Sequence, residues 1–196
     1  MLTKMLTFFV APYYGIIKNM KDRKIYIILM NTGTLLSKTI KLITRYKYSH
    51  VVLALDDTYT KLYSFGRKHV YNFLNAGLVT YGIESEFFKK YHNTDCLIYE
   101  LKVTSKQFYK LKKILRNFEK NMSVYHYDIR GLLVRYFYTN AKSRENYFVC
   151  SQFVATVLAS AQICNFEKPL KLVKPNDFNK IPEIKKIYEG KLLNAR

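Results

Sequence analysis

Residues 146–161 read NYFVCSQFVATVLASA, a cysteine followed by a mainly apolar segment. Behind its cysteine, apolar residues recur at helical spacing: Phe153, Val154, Val157, Leu158 and Ala161. This pattern predicts a helix with a buried face, and it puts Cys150 at or near the helix N-terminus. Unpaired N–H groups and the positive end of the helix dipole stabilise a thiolate, so a cysteine at this position is a candidate nucleophile.

A second stretch, residues 49–55 (SHVVLAL), predicts a buried strand that carries His50. A polar turn separates it from residues 61–67 (KLYSFGR), so the two strands are expected to form a hairpin. In that pairing Ser64 lies opposite or diagonal to Val52, on the same face as His50. A shift of one residue would turn Ser64 to the other face.

The remaining patterns mix strands and helices. Residues 25–30 (IYIILM) predict a buried strand, and Thr34 is placed to cap a helix that runs to about Tyr46. Residues 97–103 alternate as a strand, and Thr104 begins a capping-box motif for a helix with a lysine-rich face. Weaker patterns predict a short extended piece over residues 77–81 and a helical turn or two over residues 84–91. The fold class expected from these patterns is α+β.

Length and cysteine content indicate one domain without cross-links. A chain of 196 residues with 49% hydrophobic content can bury a core by itself. The three cysteines, Cys96, Cys150 and Cys164, are odd in number, widely spaced and without a CxxC pair, which favours neither a disulfide framework nor a zinc site. We expect no cofactor and no metal.

The N-terminal residues form a separate expectation. An apolar stretch over residues 8–17 is interrupted by Pro12 and Gly15 and is too short to span a bilayer. We therefore divide the chain into residues 1–24, a segment docked on the domain or shallowly anchored at an interface, and residues 25–196, the domain itself. The expected location is cytoplasmic, with contact to a membrane surface left open.

The formal net charge of +19 favours anionic partners without choosing among them. Phosphates of nucleic acid, anionic lipid headgroups and acidic substrates would all be attracted. The basic helix face after Thr104 is either a solvated surface or a phosphate-binding stripe. A composition rich in Lys, Asn, Ile and Tyr can also reflect the base composition of a genome.

Cys150 and His50 together suggest chemistry that neither residue suggests alone. A lone cysteine is commonly a small buried hydrophobe, and a lone histidine in a strand is commonly a hydrogen-bonded structural residue. A thiol at a helix start beside an imidazole forms a reactive ion pair. Cys96 lies within a strand and Cys164 beyond a helix, so we assign both to packing.

These residues occur in an order that resembles a known family. The pieces are the strand-turn-helix over residues 25–46, the motifs YSHVV (48–52), LYSFGR (62–67), YD (127–128) with Gly131, VCSQFV (149–154) and KPNDF (174–178). They resemble the circularly permuted branch of the NlpC/P60 papain-like superfamily, which contains YaeF/YiiX-type bacterial amidases and is distantly related to lecithin:retinol acyltransferase. In that branch the histidine strand precedes the cysteine helix.

The resemblance implies a permuted papain-like fold, with an antiparallel sheet packed against the helix that carries the cysteine. It implies Cys150 as nucleophile, His50 as base and a third polar residue that orients the imidazole. Many relatives have a carboxylate at the third place, whereas the aligned residue here is Ser64. Arg67, on the same strand, is suited to binding an anionic substrate group, although it is also readable as a surface arginine.

Two functions follow as expectations. The first is a cysteine hydrolase or acyltransferase acting on an acyl ester or amide, such as a lipid or lipidated peptide at an anionic membrane, with no nucleic-acid partner. The second is a catalytically inactive basic scaffold that binds nucleic acid or anionic lipid. The serine at the third position and the net charge support the second.

Overall fold

The computed structural model describes residues 22–68, 76–129, 131–132 and 144–195. Most of the N-terminal segment predicted over residues 1–24 lies outside these ranges. Its residues Arg23 and Lys24 open the first strand. Both halves of the candidate site, the hairpin and the cysteine helix, lie inside the described ranges.

Antiparallel strands form the centre of the fold. In chain order the described strands are β1 (Arg23–Asn31), β2 (His50–Ala54), β3 (Leu62–Arg67), β4 (Ala76–Tyr81), β5 (Asp95–Val103), β6 (His126–Tyr127), β7 (Tyr147–Phe148) and β8 (Lys185–Lys191). Six of them make one sheet in the order β4-β3-β2-β1-β5-β8, with every neighbouring pair antiparallel. The short strands β6 and β7 pair in parallel. The predicted β2–β3 hairpin is confirmed, with Leu53 opposite Tyr63 and Ala54 opposite Leu62.

Four helices and three short 3₁₀ segments complete the described structure. The helices are α1 (Leu35–Thr44), α2 (Glu86–Lys90), α3 (Ser105–Lys120) and α4 (Cys150–Ser160), and the 3₁₀ segments are Leu170–Leu172, Pro175–Lys180 and Leu192–Asn194. Thr34 caps α1 by accepting from the Ser37 backbone N–H at 3.2 Å, as predicted. The helix ends at Thr44 rather than near Tyr46, because Arg45 adopts a left-handed conformation with φ 57°.

A capping box at the start of α3 agrees with the sequence. The Thr104 hydroxyl accepts from the Gln107 N–H, and the Gln107 side-chain oxygen accepts from the Thr104 N–H. Such an arrangement satisfies two backbone donors that a helix N-terminus otherwise leaves unpaired. The motif therefore fixes where β5 gives way to α3.

Both faces of the sheet are covered, which explains the continuous apolar run of β1. Side chains alternate along a strand, so Ile27 packs on one face and Ile28 on the other. We call the side covered by α3 and α4 the helical face; its cluster includes Ile27, Val51 and Leu53. We call the other side the opposite face; its cluster includes Ile28, Val52 and Phe88 of α2.

The expected α+β class is confirmed, and α4 packs on the sheet against β2 and β3. Across the described ranges, no helix combines the length and apolar character that crossing a bilayer requires. The fold thus brings the helix that begins at Cys150 onto the two strands that carry His50, Ser64 and Arg67.

Candidate functional site

His50 is the first residue of β2, opposite Met30 of β1, and its ring nitrogen Nε2 lies 3.3 Å from the Ser64 hydroxyl. The predicted register is therefore confirmed, with both side chains on the opposite face. The Ser64 hydroxyl donates to the Val51 carbonyl at 2.7 Å. Since a hydroxyl has one hydrogen to donate, Ser64 acts as acceptor toward the imidazole. Nε2 then carries the ring hydrogen, and Nδ1 keeps a free electron pair.

Burial keeps the His50 imidazole neutral. Desolvation lowers its pKa from 6.5 to about 4. Gly66 lies against the ring, and a Cβ added there would stand 3.6 Å from the ring carbon Cε1. Among the described residues no carboxylate hydrogen-bonds to the ring, and Ser64 is its partner. The imidazole is therefore a neutral group at pH 7, oriented by a neutral acceptor.

Cys150 is the first residue of α4, as the sequence predicts, and its side chain is buried. The N-cap position is Val149, whose extended backbone (φ −101°, ψ 165°) is not accompanied by a side-chain cap hydrogen bond. Valine has no side-chain acceptor, so the first-turn N–H groups are not satisfied by the cap residue. The thiol thus lies at the positive end of an uncapped helix.

The thiol and the imidazole approach the site from different sides of the sheet. Alternation along β2 puts Val51 on the helical face with α4 and puts His50 on the opposite face. In the described structure no hydrogen bond joins Cys150 to His50. His50 begins β2, so its side chain lies at the end of that strand.

Tyr81 is a further polar group at the cavity, and the Cys150 thiol affects its pKa. It lines the same cavity as His50, and its ring stacks on Phe87 with centroids 5.6 Å apart. Burial raises the pKa of the Tyr81 hydroxyl, and the nearby Cys150 thiol adds to the rise, whereas the Arg67 guanidinium lowers it. Cys150 and Arg67 are therefore both close enough to Tyr81 to act on it electrostatically.

The cavity at this end of the hairpin has a volume of about 440 Å³. Its described lining consists of Thr32, Thr34, Ser37, Thr39, Ile40, Ser49, His50, Gly66, Arg67, Ala76, Tyr81, Phe87, Tyr127 and Ile129. Two of the buried hydroxyls are linked to each other, Ser37 to Ser49 at 2.7 Å, and Ser37 also donates to Asn31 at 2.9 Å. The structure thus puts His50 and Arg67 in the lining of this cavity and Ser64 against the His50 ring, whereas Cys150 is not part of the described lining.

Cys96, Cys164 and the carboxylate of Asp128 are further groups that could react, but their surroundings give each a structural role. Burial raises the pKa of Cys96 to about 12 and that of Cys164 to about 11, consistent with packing. Asp128 is buried and accepts from the Gly131 N–H at 2.9 Å and from Arg144 at 3.1 Å. Within the described ranges, no three His, Cys, Asp or Glu side chains are grouped to hold a metal ion.

The sequence makes Asp177 a candidate N-cap, because it follows Pro175-Asn176 and precedes a helical stretch. Its carboxylate accepts from the Lys174 backbone N–H at 2.8 Å, but it does so from the third position of the 3₁₀ segment. Lys168 also donates to it at 2.8 Å. The carboxylate therefore serves the start of that segment and is not part of the cavity.

Sequence reasoning missed Tyr81 and the hydroxyls at Ser37 and Ser49. Tyr81 lies in a stretch with little periodicity, and its place depends on the β3–β4 register, in which it stands opposite Leu62. The hydroxyl of Ser49, immediately before His50, gave no signal because its partner on α1 is distant in sequence. Extending the hairpin to a third strand would have found Tyr81.

Comparison of the chain with protein-family models, curated proteins and solved structures gave no match. A statement about activity therefore has to rest on the geometry of the site.

Proposed function

We propose that this protein is a cysteine hydrolase or acyltransferase on a circularly permuted papain-like fold, with Cys150 as nucleophile and His50 as base. The observation that carries the proposal is the contact of His50 Nε2 with the Ser64 hydroxyl beside a cavity that His50 lines. Because that hydroxyl donates to the Val51 carbonyl, the contact assigns the ring hydrogen to Nε2 and leaves Nδ1 unprotonated. A neutral imidazole nitrogen with a free electron pair is the form that can remove a thiol proton.

The proposed reaction begins with transfer of the Cys150 proton to Nδ1 of His50. The thiolate attacks the acyl carbon, and backbone N–H groups at the uncapped start of α4 stabilise the oxyanion. The C–O or C–N bond breaks, and the leaving alcohol or amine takes the proton from the imidazolium. Water, or another acceptor, then gives a proton to Nδ1, attacks the thioester and releases Cys150 with the acid or the transferred acyl product.

The reaction requires the Cys150 sulfur to reach Nδ1 around the end of β2. Catalytic hydrogen bonds are often long before substrate is bound and tighten in the Michaelis complex. Tyr81, Arg67 and His50 line one cavity, which supports this route. The Cys150 thiol is also among the groups that raise the pKa of Tyr81.

A labelling and hydrolysis experiment tests the proposal. At pH 7 iodoacetamide should alkylate Cys150 faster than Cys96 or Cys164, whose thiol pKa values are raised by burial. With p-nitrophenyl butyrate, mass spectrometry should detect a butyryl adduct on Cys150. His50→Gln should slow hydrolysis by about 10²–10⁴-fold.

His92 gives the matched control, because it is exposed and hydrogen-bonds to Asn93 away from the cavity. His92→Gln should leave both rates unchanged. Equal rates in the His50 and His92 variants, or an acyl adduct that avoids Cys150, would remove the catalytic proposal.

A basic binding scaffold is the second candidate, and one observation favours it. Five cations line the exposed side of α3: Lys106, Lys110, Lys113, Arg116 and Lys120. None of them forms an ion pair with a carboxylate among the described residues, and Lys110 contacts the neutral Gln162 side chain at 2.9 Å. Ordinary reactivity at all three cysteines, combined with salt-sensitive binding to polyanions, would favour this candidate.

A further inference from the structure

The cavity at the hairpin end has an amphiphilic lining. Its walls include the apolar side chains of Ile40, Phe87 and Ile129 and the rings of Tyr81 and Tyr127. A concave, mainly apolar pocket with a few polar groups is the usual form of a small-molecule site, and about 440 Å³ lies within the common range of roughly 300–1,000 Å³.

Arg67 supplies the cation of this lining. It is the last residue of β3 and is partly buried. Among the described residues, no carboxylate forms an ion pair with it. A guanidinium is always charged and binds a carboxylate through two parallel hydrogen bonds. An unpaired guanidinium on an apolar cavity therefore favours a ligand with one anionic end.

Arg67 is the one side chain in the described lining that carries a positive charge at neutral pH, and several of the other polar groups have partners. His50 is neutral, and its Nε2–H is directed to Ser64. Ser37 and Ser49 hydrogen-bond to each other, and Ser37 also bonds to Asn31. The described lining is thus mainly apolar with one cationic side chain, Arg67, which matches an aliphatic chain that ends in a carboxylate.

We propose that the cavity binds the aliphatic chain of a single-chain fatty acid, with the carboxylate at Arg67. As a statement about substrate, this inference rests on the proposed function, because the acid is the product that hydrolysis of an acyl ester would release. Binding of the acid itself does not require the Cys150 thiol.

Binding is tested with Cys150→Ala protein, in which no turnover by this thiol can occur. A fluorescent dansyl-undecanoate probe is bound first, and dodecanoate, butyrate and dodecanol are compared as competitors. Dodecanoate should displace the probe, and butyrate should be at least about tenfold weaker, since a short chain buries little apolar surface.

Arg67→Gln in the same background should weaken dodecanoate about tenfold while leaving dodecanol unchanged, because only the acid uses the guanidinium. Lys102→Gln is the matched control, since Lys102 is exposed on β5 and outside the lining. It should leave both ligands unchanged. Circular dichroism checks that each variant is folded. The comparison of dodecanoate with butyrate uses protein with native Arg67, so it tests the inference even if the Arg67 variant does not fold.

Two results would overturn the inference: butyrate competing as well as dodecanoate, or the Arg67 and Lys102 variants weakening dodecanoate equally. The proposed function fails separately. If dodecanoate binds as expected while the native protein forms no acyl adduct on Cys150, the cavity assignment stands and the catalytic proposal falls.

Discussion

At the scale of single residues, the most informative contact joins Ser64 to His50. A carboxylate at this place would stabilise the imidazolium, whereas a neutral hydroxyl only selects the tautomer. Ser64 is fully buried and already donates to the Val51 carbonyl, so its role toward the ring is that of an acceptor. The serine thus gives orientation without charge, and proton transfer to His50 is less favoured than beside a carboxylate.

Ser64→Ala should release the ring. We expect the protected Nε2–H signal of His50 in nitrogen-15 NMR to be lost, and the free energy of unfolding to fall by about 1–2 kcal/mol because a buried donor loses its partner. Ser160→Ala, at the exposed end of α4, is the control and should change neither quantity. A native ring protonated at Nδ1 would contradict the assignment.

His50 should also make stability depend on pH. Its folded pKa, about 4, lies below the ordinary 6.5, so between these values the unfolded chain binds the extra proton. The free energy of unfolding should therefore fall as pH is lowered from about 6.5 to about 4, by up to about 3 kcal/mol. Urea unfolding of native and His50→Gln protein at several pH values measures this.

The difference between the two proteins isolates His50, because carboxylates such as Glu189 titrate alike in both. His50→Gln should flatten the slope within that pH window. Parallel curves for the two proteins would show that the imidazole is not held neutral by burial.

At the scale of elements, close backbone approach sets how β4 leaves the sheet. The Ile83 N–H donates to the Tyr59 carbonyl at 3.1 Å, which holds the end of β4 against the β2–β3 turn. At Gly82, a Cβ would stand 2.5 Å from the Thr60 carbonyl oxygen. A side chain there would push two backbone segments apart.

Gly82→Ala should therefore destabilise the protein by about 1–3 kcal/mol, the usual cost of overpacking. Gly66→Ala provides a contrast, because its Cβ would meet only ordinary contacts, the nearest at 3.6 Å. That variant should stay within about 1 kcal/mol of the native protein. Urea unfolding compares the two, and equal effects would contradict the close approach at Gly82.

Local patterns predicted the elements well, but relations between elements less well. The caps at Thr34 and Thr104, the hairpin and the position of Cys150 at a helix start depend on residues close in sequence. The assignment of Cys150 to the helical face and of His50 to the opposite face depends on which face α4 covers. That choice is made by packing against β2 and β3, which no local periodicity encodes.

At the scale of the whole molecule, charge and core are separated. The described carboxylates that form ion pairs, such as Glu189 with Lys47 and Lys186, lie largely toward the surface and offset only part of the net charge of +19. Exposed pairs of this kind contribute little to folding. The buried apolar side chains of the sheet supply most of the stability, and the cationic surface attracts anionic solutes.

The outermost strand of the sheet, β8, also affects how copies of the protein meet. It reads KKIYEGK, is mostly exposed, and has one row of backbone donors and acceptors that no other strand of the described residues pairs with. An exposed edge strand of this kind can pair with a strand of another chain and start fibril formation. Lysine side chains on the edge oppose this pairing because their charges repel each other. With Lys185, Lys186 and Lys191 on this edge, concentrated protein should resist strand-to-strand polymerisation, and replacing these lysines with neutral residues should promote it.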